Sequence, residues 1–230
     1  MPRAQNVGFR VFATIERPPR EVVAAYAGME TVYLSDAMNR FGGMDGNIRP
    51  AEPTMRLFGP AVTVRVPPGD NLMVYKAFEV AQPGDVLVIE SRGCTSVAQW
   101  GDLASAAAKG LGLAGVVMDG VLRDLAGIRA IGLPVFAQPI VTPNGALRDG
   151  PGEVNVPVAV GGVPVLPGDM IVGDESGVVV IPRADAAAVL AEARALAAGE
   201  VAKQREFAEG KFIPEGLDAL LRRRGCEMID

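Results

Sequence analysis

Two short groups of residues carry side chains that could do chemistry together. The first is Gly101-Asp102, and the second, about twenty positions later, is Arg123-Asp124. An alanine-rich helix is predicted to begin at Gly101-Asp102, and the free backbone N–H groups of a helix start suit a carboxylate. The arginine can grip a carboxylate or keto acid through its planar guanidinium, and the aspartate beside it can hold a hard divalent cation. These residue types predict a site for a small anion and a cation.

The same residues also have purely structural explanations. Asp102 could be an N-cap, a role worth about 1 kcal/mol. Arg123 and Asp124 could be solvated charges in the first turn of a helix. An arginine in a first turn is electrostatically disfavoured, which favours a further reason for Arg123. On the residues alone, both interpretations stay open.

The elements around these groups must bring them to one place. Runs of consecutive apolar residues, typical of strands buried on both faces, predict strands at 61–66, 86–89, 115–118, 134–136, 154–160, 170–172 and 177–181. Predicted helices span 20–26, 71–80, 101–111, 123–131, 183–209 and 214–224, and Ser35 or Asp36 caps a further short one. Gly199 could break the long helix. This order predicts an α/β fold with a mixed sheet or barrel-like β core, in which both helix starts could face one crevice.

Composition removes several classes of function. The 230 residues carry a net charge of −5 and include no histidine, which excludes Ser-His-Asp triads and His-containing metal sites. The two cysteines, Cys94 and Cys226, lack the spacing of a zinc site or a disulfide framework and favour a reducing compartment, here the cytoplasm. The acidic balance argues against nucleic-acid binding, and neither a signal-peptide pattern nor a membrane-spanning run occurs.

A glycine-rich segment at 110–115 matches the GxGxxG pattern of dinucleotide-binding proteins. That pattern needs a strand before it and a helix after it, whereas the order predicted here is the reverse. A phosphate would meet the negative end of the helix dipole. We interpret the segment as a helix stop ahead of the strand at 115–118.

With their surroundings, these residues resemble the RraA-like family, and within it the class II 4-hydroxy-4-methyl-2-oxoglutarate / 4-carboxy-4-hydroxy-2-oxoadipate aldolases. The likeness rests on Gly101-Asp102-Leu103, on Asp119, and on Arg123-Asp124 at the family's Asp-x20-Arg-Asp spacing. It extends over roughly 30–182, through segments 61–64, 67–71, 83–88, 154–158, 161–162, 167–169 and 174–180. Two stretches, 91–100 and the tail after 212, look less like the characterised aldolases and could shape the pocket for the distal half of the substrate.

The resemblance implies a metal-dependent lyase that cleaves a C–C bond beside a 2-oxo acid to give pyruvate, and that also decarboxylates oxaloacetate. In such enzymes the residue matching Asp124 is the direct ligand of Mg²⁺ or Mn²⁺, and the one matching Arg123 binds the pyruvyl group. The aspartate matching Asp102 holds a metal-bound water and handles protons. A glutamate from a neighbouring subunit completes the water shell, and Glu200 is the candidate. The substrate carboxylate is bound by the loop backbone that matches Gly101, Asp102, Leu103 and Ala104.

The resemblance also implies a fold and an assembly. The fold is a swivelling β/β/α core with flanking N- and C-terminal helices, with residues 1–182 as the catalytic domain and 183–230 as a helical extension packing on a neighbouring subunit. The assembly is a homotrimer or a hexamer of paired trimers, whose partner is a small 2-oxo acid. Two alternatives stay open: a non-catalytic, protein-binding regulator of an RNA-degrading endonuclease, and methyl transfer to a menaquinone precursor, for which the sequence offers no suitable cofactor loop.

Overall fold

The computed structural model describes residues 6–229 as strands and helices around one large sheet. The strands in this part of the chain are β1 (Phe9–Val11), β2 (Arg49–Pro50), β3 (Leu57–Arg65), β4 (Val86–Glu90), β5 (Ala98–Trp100), β6 (Gly115–Met118), β7 (Val121–Leu122), β8 (Val135–Ala137), β9 (Gly152–Val154), β10 (Val158–Val160), β11 (Val163–Val165), β12 (Met170–Asp174) and β13 (Gly177–Ile181). The helices are α1 (Arg20–Ala24), α2 (Thr31–Ala37), α3 (Leu72–Val80), α4 (Asp102–Gly110), α5 (Leu125–Ile131), α6 (Ala186–Ala208) and α7 (Leu217–Arg223).

The large sheet is mixed, as predicted. Its order is β1-β9-β3-β4-β6-β8-β2, and β12 and β13 join it through the first half of β3. The central strands β3, β4, β6 and β8 run parallel, because α3, α4 and α5 lie on the crossovers between them. Strands β12, β9 and β2 pair antiparallel with members of this group. The α/β fold with a mixed sheet is therefore confirmed.

Two hydrophobic clusters hold the elements together. The larger one surrounds β3, β4 and β6 and includes the inner faces of α3 and α4. The residues of β4 from Val86 to Ile89 are fully buried, which explains why that stretch is apolar at consecutive positions. The smaller cluster packs β12 and β13 against α2 and the start of α6.

Helix α6 has two different halves. Its first turns are packed into the chain's own core, where Val189, Leu190 and Ala193 are buried and the buried Tyr26 hydroxyl donates a 2.7 Å hydrogen bond to the carbonyl of Ala186. The few large apolar residues in the sequence of this helix predict that it gains little from packing into its own core, and this prediction is wrong for the first half. From residue 198 to its end the helix is exposed, and no α7 residue is buried. Packing of residues 183–230 on a neighbouring subunit stays a prediction.

Three local expectations were wrong. Ser35 and Asp36 lie inside α2 and do not cap it, because Asp174 accepts hydrogen bonds from the backbone N–H and the hydroxyl of Thr31 at 2.8 and 2.7 Å. Gly199 does not break α6, which continues to Ala208. The predicted strand at 154–160 is two strands, since Asn155 has a left-handed φ of 58° and turns the chain between β9 and β10.

Within residues 6–229, none of the helices is both long and apolar enough to cross a membrane.

Candidate active site

The two chemically interesting groups are brought together by a small parallel sheet. Strands β5 and β7 pair with each other, and the backbone N–H of Arg123 donates a 3.1 Å hydrogen bond to the carbonyl of Trp100. Gly101 follows β5, so its Cα lies against the side chains that follow β7. A Cβ at Gly101 would lie 2.8 Å from Oδ2 of Asp124 and 3.4 Å from Nε of Arg123. A larger residue at this position would displace the carboxylate of Asp124 from its observed place.

Arg123 is held at the mouth of a cleft. Its Nε lies 3.2 Å from Oδ2 of Asp124, and the two side chains are 43% and 42% exposed. On its other side, the guanidinium lies against the backbone of Gly145, where a Cβ would come within 2.9 Å of Cζ and closer still to Nη1. The guanidinium is therefore positioned by a carboxylate and a glycine while remaining open to solvent.

Asp124 adopts a left-handed conformation, with φ 55° and ψ 37°, at the N-cap position of α5. Its carboxylate makes no capping hydrogen bond. The expectation that Arg123 and Asp124 form the first helical turn is wrong, because α5 starts only at Leu125. The helix-dipole argument for Arg123 therefore falls away, and its steric and ionic contacts take its place. A non-glycine residue in this conformation costs about 1–3 kcal/mol and is kept where the surroundings determine it.

Asp102 is the first residue of α4, and Gly101 occupies the N-cap position. The capping interpretation of Asp102 is therefore wrong. Its Oδ1 accepts a 2.7 Å hydrogen bond from the N–H of Leu103. Its other oxygen faces α5, where a Cβ at Gly127 would lie 3.0 Å from it. One of the four backbone donors at the start of α4 is thus already bonded to a carboxylate of the same turn.

The start of α4 is fixed from inside by the buried Trp100. Its indole N–H donates a 2.7 Å hydrogen bond to the hydroxyl of Ser105, which in turn donates a 3.0 Å bond to the carbonyl of Gly101. The ring also packs edge-on against Phe78 of α3. Gly101 is therefore linked to the hydrophobic core through the hydrogen bonds of Ser105 and Trp100.

A cavity of about 300 Å³ opens at this place. Its lining includes every residue predicted to bind substrate: Gly101, Asp102, Leu103, Ala104 and Arg123. The remaining lining residues were not predicted as site residues: Asn71, Tyr75, Ala98, Gln99, Trp100, Ala146, Leu147 and Arg148. The end of the divergent stretch 91–100 does reach the cavity, as expected, whereas the tail after 212 is absent from its described lining.

Asp119, part of the sequence resemblance, has a supporting position. Its carboxylate accepts hydrogen bonds of 2.6 and 3.0 Å from the N–H and hydroxyl of Ser91, and one of 3.0 Å from the N–H of Gly93. Burial raises the pKa of Asp119 above its usual value, and these hydrogen bonds oppose the rise. Asp119 thus fixes the loop that follows β4, next to the cavity-forming segment.

The carboxylates of Asp102 and Asp124 are oxygen ligands of the type that a hard cation prefers, but two carboxylates are fewer than a complete metal site needs. Both side chains are at least partly exposed, with Oδ2 of Asp124 directed towards Gly101 and Oδ2 of Asp102 directed towards Gly127 of α5. Within residues 6–229, no group of three or more acidic, histidine or cysteine side chains is gathered to hold a metal. Mg²⁺ accepts such a site, because it keeps several waters and binds through one or two carboxylates and the substrate. The donor set therefore fits Mg²⁺ or Mn²⁺ with an incomplete protein shell.

Two of the predicted site residues are absent from the described lining of the cavity: Asp124, whose side chain contacts Arg123 of that lining, and Glu200, which lies in another part of the chain. Glu200 belongs to α6. It is exposed in the second half of α6 and is not part of the described lining of the cavity. Hydrogen bonding to the Glu200 carboxylate raises the pKa of Tyr33 on α2 above its usual value. The role of Glu200 at the cavity of a neighbouring subunit stays a prediction.

The glycine-rich segment at 110–115 lies at the other end of α4 from the cavity. Gly110 ends α4, and Gly115 starts β6, as predicted. Gly112 between them has a left-handed φ of 76°, typical of a helix stop. The segment therefore has the order of elements opposite to that of a dinucleotide-binding loop.

Comparison with known proteins shows the family to which the sequence is similar. A family model described as RraA-like, Aldolase/RraA, matches residues 31–180. A Halalkalibacterium halodurans protein provisionally named 4-hydroxy-4-methyl-2-oxoglutarate aldolase is 38% identical over 189 residues, which cover 82% of this chain and 90% of that protein. A Thermus thermophilus protein named 4-hydroxy-4-methyl-2-oxoglutarate aldolase is 36% identical over 113 residues, 49% of this chain and 68% of that protein.

Solved structures with related sequences share the fold. Streptomyces coelicolor RraAS2, described as an unusual member of the RNase ES inhibitor RraA protein family, has a TM-score of 0.71 at 30% identity, covering 85% of this chain and 99% of that one. The RNA-processing inhibitor RraA from Thermus thermophilis has a TM-score of 0.62 at 32% identity, covering 67% and 93%. A Geobacillus kaustophilus structure titled as an S-adenosylmethionine: 2-dimethylmenaquinone methyltransferase has a TM-score of 0.63 at 33% identity, covering 67% and 96%.

Proposed function

This chain belongs to the RraA-like family, and we propose that it is a divalent-metal-dependent aldolase. Its substrates are 4-hydroxy-2-oxo dicarboxylic acids of the 4-hydroxy-4-methyl-2-oxoglutarate type, which it cleaves to pyruvate. The observation that carries the proposal is the cavity in which Arg123 faces the start of α4, with Asp102 and Asp124 beside it. This arrangement offers donors for a 2-oxo acid, oxygens for a cation and a group that can accept a proton.

Each group in the cavity has a role that follows from its chemistry. Backbone N–H groups at the start of α4, helped by the positive end of its dipole, bind the C1 carboxylate. The Arg123 guanidinium faces the C2 keto oxygen and stabilises the negative charge that grows there as the C3–C4 bond breaks. Asp102 accepts the proton of the C4 hydroxyl, either directly or through water, because no histidine exists to do so. Asp124, with Asp102 nearby, holds Mg²⁺ or Mn²⁺, which when bound supplies Lewis-acid stabilisation of the same enolate.

The same stabilised enolate accounts for a second activity. When oxaloacetate loses its C4 carboxylate as CO₂, the electrons of the broken bond pass to the keto oxygen, as in aldol cleavage. Arg123 would stabilise the same developing negative charge in both reactions. We therefore include oxaloacetate decarboxylation in the proposal.

The incomplete carboxylate set supports a proposal about assembly. The chain forms a homotrimer, or a hexamer of paired trimers, and Glu200 of one subunit completes the cation site of its neighbour. The exposed second half of α6 carries apolar side chains that a neighbour could cover, among them Val201 and Phe207. A carboxylate arriving by this route would accept hydrogen bonds from the cation's waters, which the described residues of one chain leave short of acceptors.

A non-catalytic regulator of an RNA-degrading endonuclease is the second candidate. The similarity to the Thermus and Streptomyces RraA proteins favours it. Against it stands the positioned Arg123, whose contacts with Gly101 and Gly145 have no purpose on a surface that only binds protein.

The deciding experiment measures pyruvate formation from oxaloacetate and from 4-hydroxy-4-methyl-2-oxoglutarate, with added Mg²⁺, Mn²⁺ or EDTA. We expect pyruvate from both substrates, dependent on the cation and abolished by EDTA. Folded protein that forms no pyruvate at saturating cation would overturn the aldolase proposal. In that case, binding to a purified RNA-degrading endonuclease tests the regulator.

A further inference from the structure

An arginine that plays no part in the scheme above lines the same cavity. Arg148 belongs to the loop between β8 and β9, and its Cζ lies 4.2 Å from the centre of the ring of Tyr75, a residue of α3. The Arg148 guanidinium therefore stacks on the face of the Tyr75 ring. A guanidinium stacked in this way keeps its N–H groups free in the plane of the fork, where they can meet a carboxylate.

The backbone around Arg148 is unusually well fixed for an exposed loop. Leu147 exchanges two backbone hydrogen bonds with the turn at 69–71, of 2.7 and 2.9 Å. The buried carboxylate of Asp70, in that turn, accepts N–H bonds of 2.8 and 2.7 Å from the two residues after Arg148. Hydrogen bonds on both sides therefore set where the Arg148 side chain starts, which a solvated surface arginine would not need.

A second, independent feature lies in the same wall. The side-chain oxygen of Asn71 is buried and has no hydrogen-bond partner among the described residues, although Asn71 lines the cavity. A buried polar atom without a partner is costly and is explained where a ligand or water completes it. Turned about its last side-chain bond, the same amide would offer N–H donors to a carboxylate held by Arg148.

We propose that Arg148, stacked on Tyr75 and assisted by Asn71, binds the second carboxylate of the substrate and selects dicarboxylic over monocarboxylic 4-hydroxy-2-oxo acids. This inference rests on the proposed function, because Arg123 and α4 are taken to hold the 2-oxo acid end. A dicarboxylic acid then has a negative group left at its far end. Arg148 is the cation in the described lining that the 2-oxo acid end leaves free.

The test uses two substrates that differ only at C5: 4-hydroxy-2-oxoglutarate, which has a carboxylate there, and 4-hydroxy-2-oxopentanoate, which has a methyl group. We expect Arg148→Ala to lower kcat/KM about 10²-fold for the dicarboxylic acid, as the loss of a charge-assisted pair requires, and less than threefold for the other. Arg148→Lys should recover part of the preference. Arg40→Ala, which removes an exposed arginine outside this cavity, is the matched control.

Exchange of the pyruvate methyl protons with deuterium oxide separates this inference from the proposed function. Pyruvate has no distal carboxylate, so its exchange reads the Arg123 end alone and should survive in Arg148→Ala. If the wild-type protein neither exchanges pyruvate protons nor cleaves either acid, the aldolase proposal fails. If it does both, but Arg148→Ala changes the two cleavage rates by the same factor or leaves both unchanged, the proposed role of Arg148 is wrong.

Discussion

Arg123 and Asp124 are adjacent in the chain, and their side chains meet, with Nε of the arginine 3.2 Å from Oδ2 of the aspartate. The left-handed backbone at Asp124 makes this possible, because it separates the carboxylate from the helix that follows. Both groups are partly exposed, so the pair itself contributes little to the stability of the fold. Its value lies in holding two opposite charges side by side at the opening of one cavity.

We expect Asp124→Asn to abolish cation-dependent pyruvate formation while leaving the fold intact. Asparagine tolerates the left-handed conformation, whereas Asp124→Ala should add a strain of about 1–2 kcal/mol. The checks are the pyruvate assay at saturating Mn²⁺ and the midpoint of urea unfolding. Activity within a few-fold of wild type would remove Asp124 from the cation site.

Arg123→Lys should be far from neutral. A lysine ammonium is a point charge and cannot reproduce the two-pronged contact of a guanidinium held between Asp124 and Gly145. We expect kcat/KM to fall by roughly 10²-fold or more, the range for losing one preorganised donor at a developing negative charge. Steady-state rates on oxaloacetate would show it, and a lysine variant that keeps most of the rate would mean that Arg123 does not face the enolate.

Gly145→Ala should impair activity through Arg123 without unfolding the protein. The added Cβ would overlap the guanidinium, and the side chain would have to leave its place. Gly145 is half-buried in a loop, but its added Cβ would meet only the partly exposed Arg123 side chain, so the free energy of unfolding should change little. The comparison is with Gly43→Ala, where the added Cβ meets nothing within 4 Å. Equal activity in the two variants would show that the position of Arg123 does not depend on Gly145.

Mixed assemblies test whether Glu200 acts across a subunit boundary. Asp124→Ala and Glu200→Ala should each be inactive alone. After partial unfolding and joint reassembly, some interfaces regain both native residues, and activity should return. Hybrids that have demonstrably formed but stay inactive, or a fully active Glu200→Ala protein, would exclude Glu200 from the site.

The attachment of α6 should depend on pH through Tyr26. Burial raises the pKa of Tyr26 from 10.0 to about 12. A raised pKa in the folded state means that the neutral phenol's contribution is complete below pH 10 and is lost as the pH rises towards 12. Tyr26→Phe should therefore lose about 1 kcal/mol of stability at pH 8, and the difference from wild type should shrink above pH 10. Urea unfolding at both pH values measures this, and a constant difference would contradict it.

Strong local patterns were enough to predict much of the sheet. The apolar runs at 115–118 and 177–181 match β6 and β13 in both bounds, since few other structures bury four or five consecutive apolar residues. The ends of helices were less predictable. The cap of α2 comes from Asp174, whose distance along the chain hides it from any local pattern.

The cavity residues that were predicted from the sequence, 101–104 and Arg123, lie in two neighbouring segments of the chain. Gly101-Asp102 and Arg123-Asp124 stand at the starts of two successive helices, so their proximity follows from the order of elements. What joins them is the pairing of β5 and β7, strands of three and two residues, which are too short to predict. Tyr75 and Arg148 come from distant parts of the chain, and only the fold places one over the other.

The loop at 145–150 touches both ends of the cavity. Gly145 lies against Arg123, while the backbone around Arg148 is clamped by Asp70. Three peptide units separate Gly145 from Arg148, and Leu147 between them is hydrogen-bonded to the turn at 69–71. The length of this backbone segment sets the spacing of the two guanidinium groups, and therefore the length of the ligand that can contact both. One residue inserted between Gly145 and Arg148 should shift the preferred chain length of the substrate, even though every charged group would be retained.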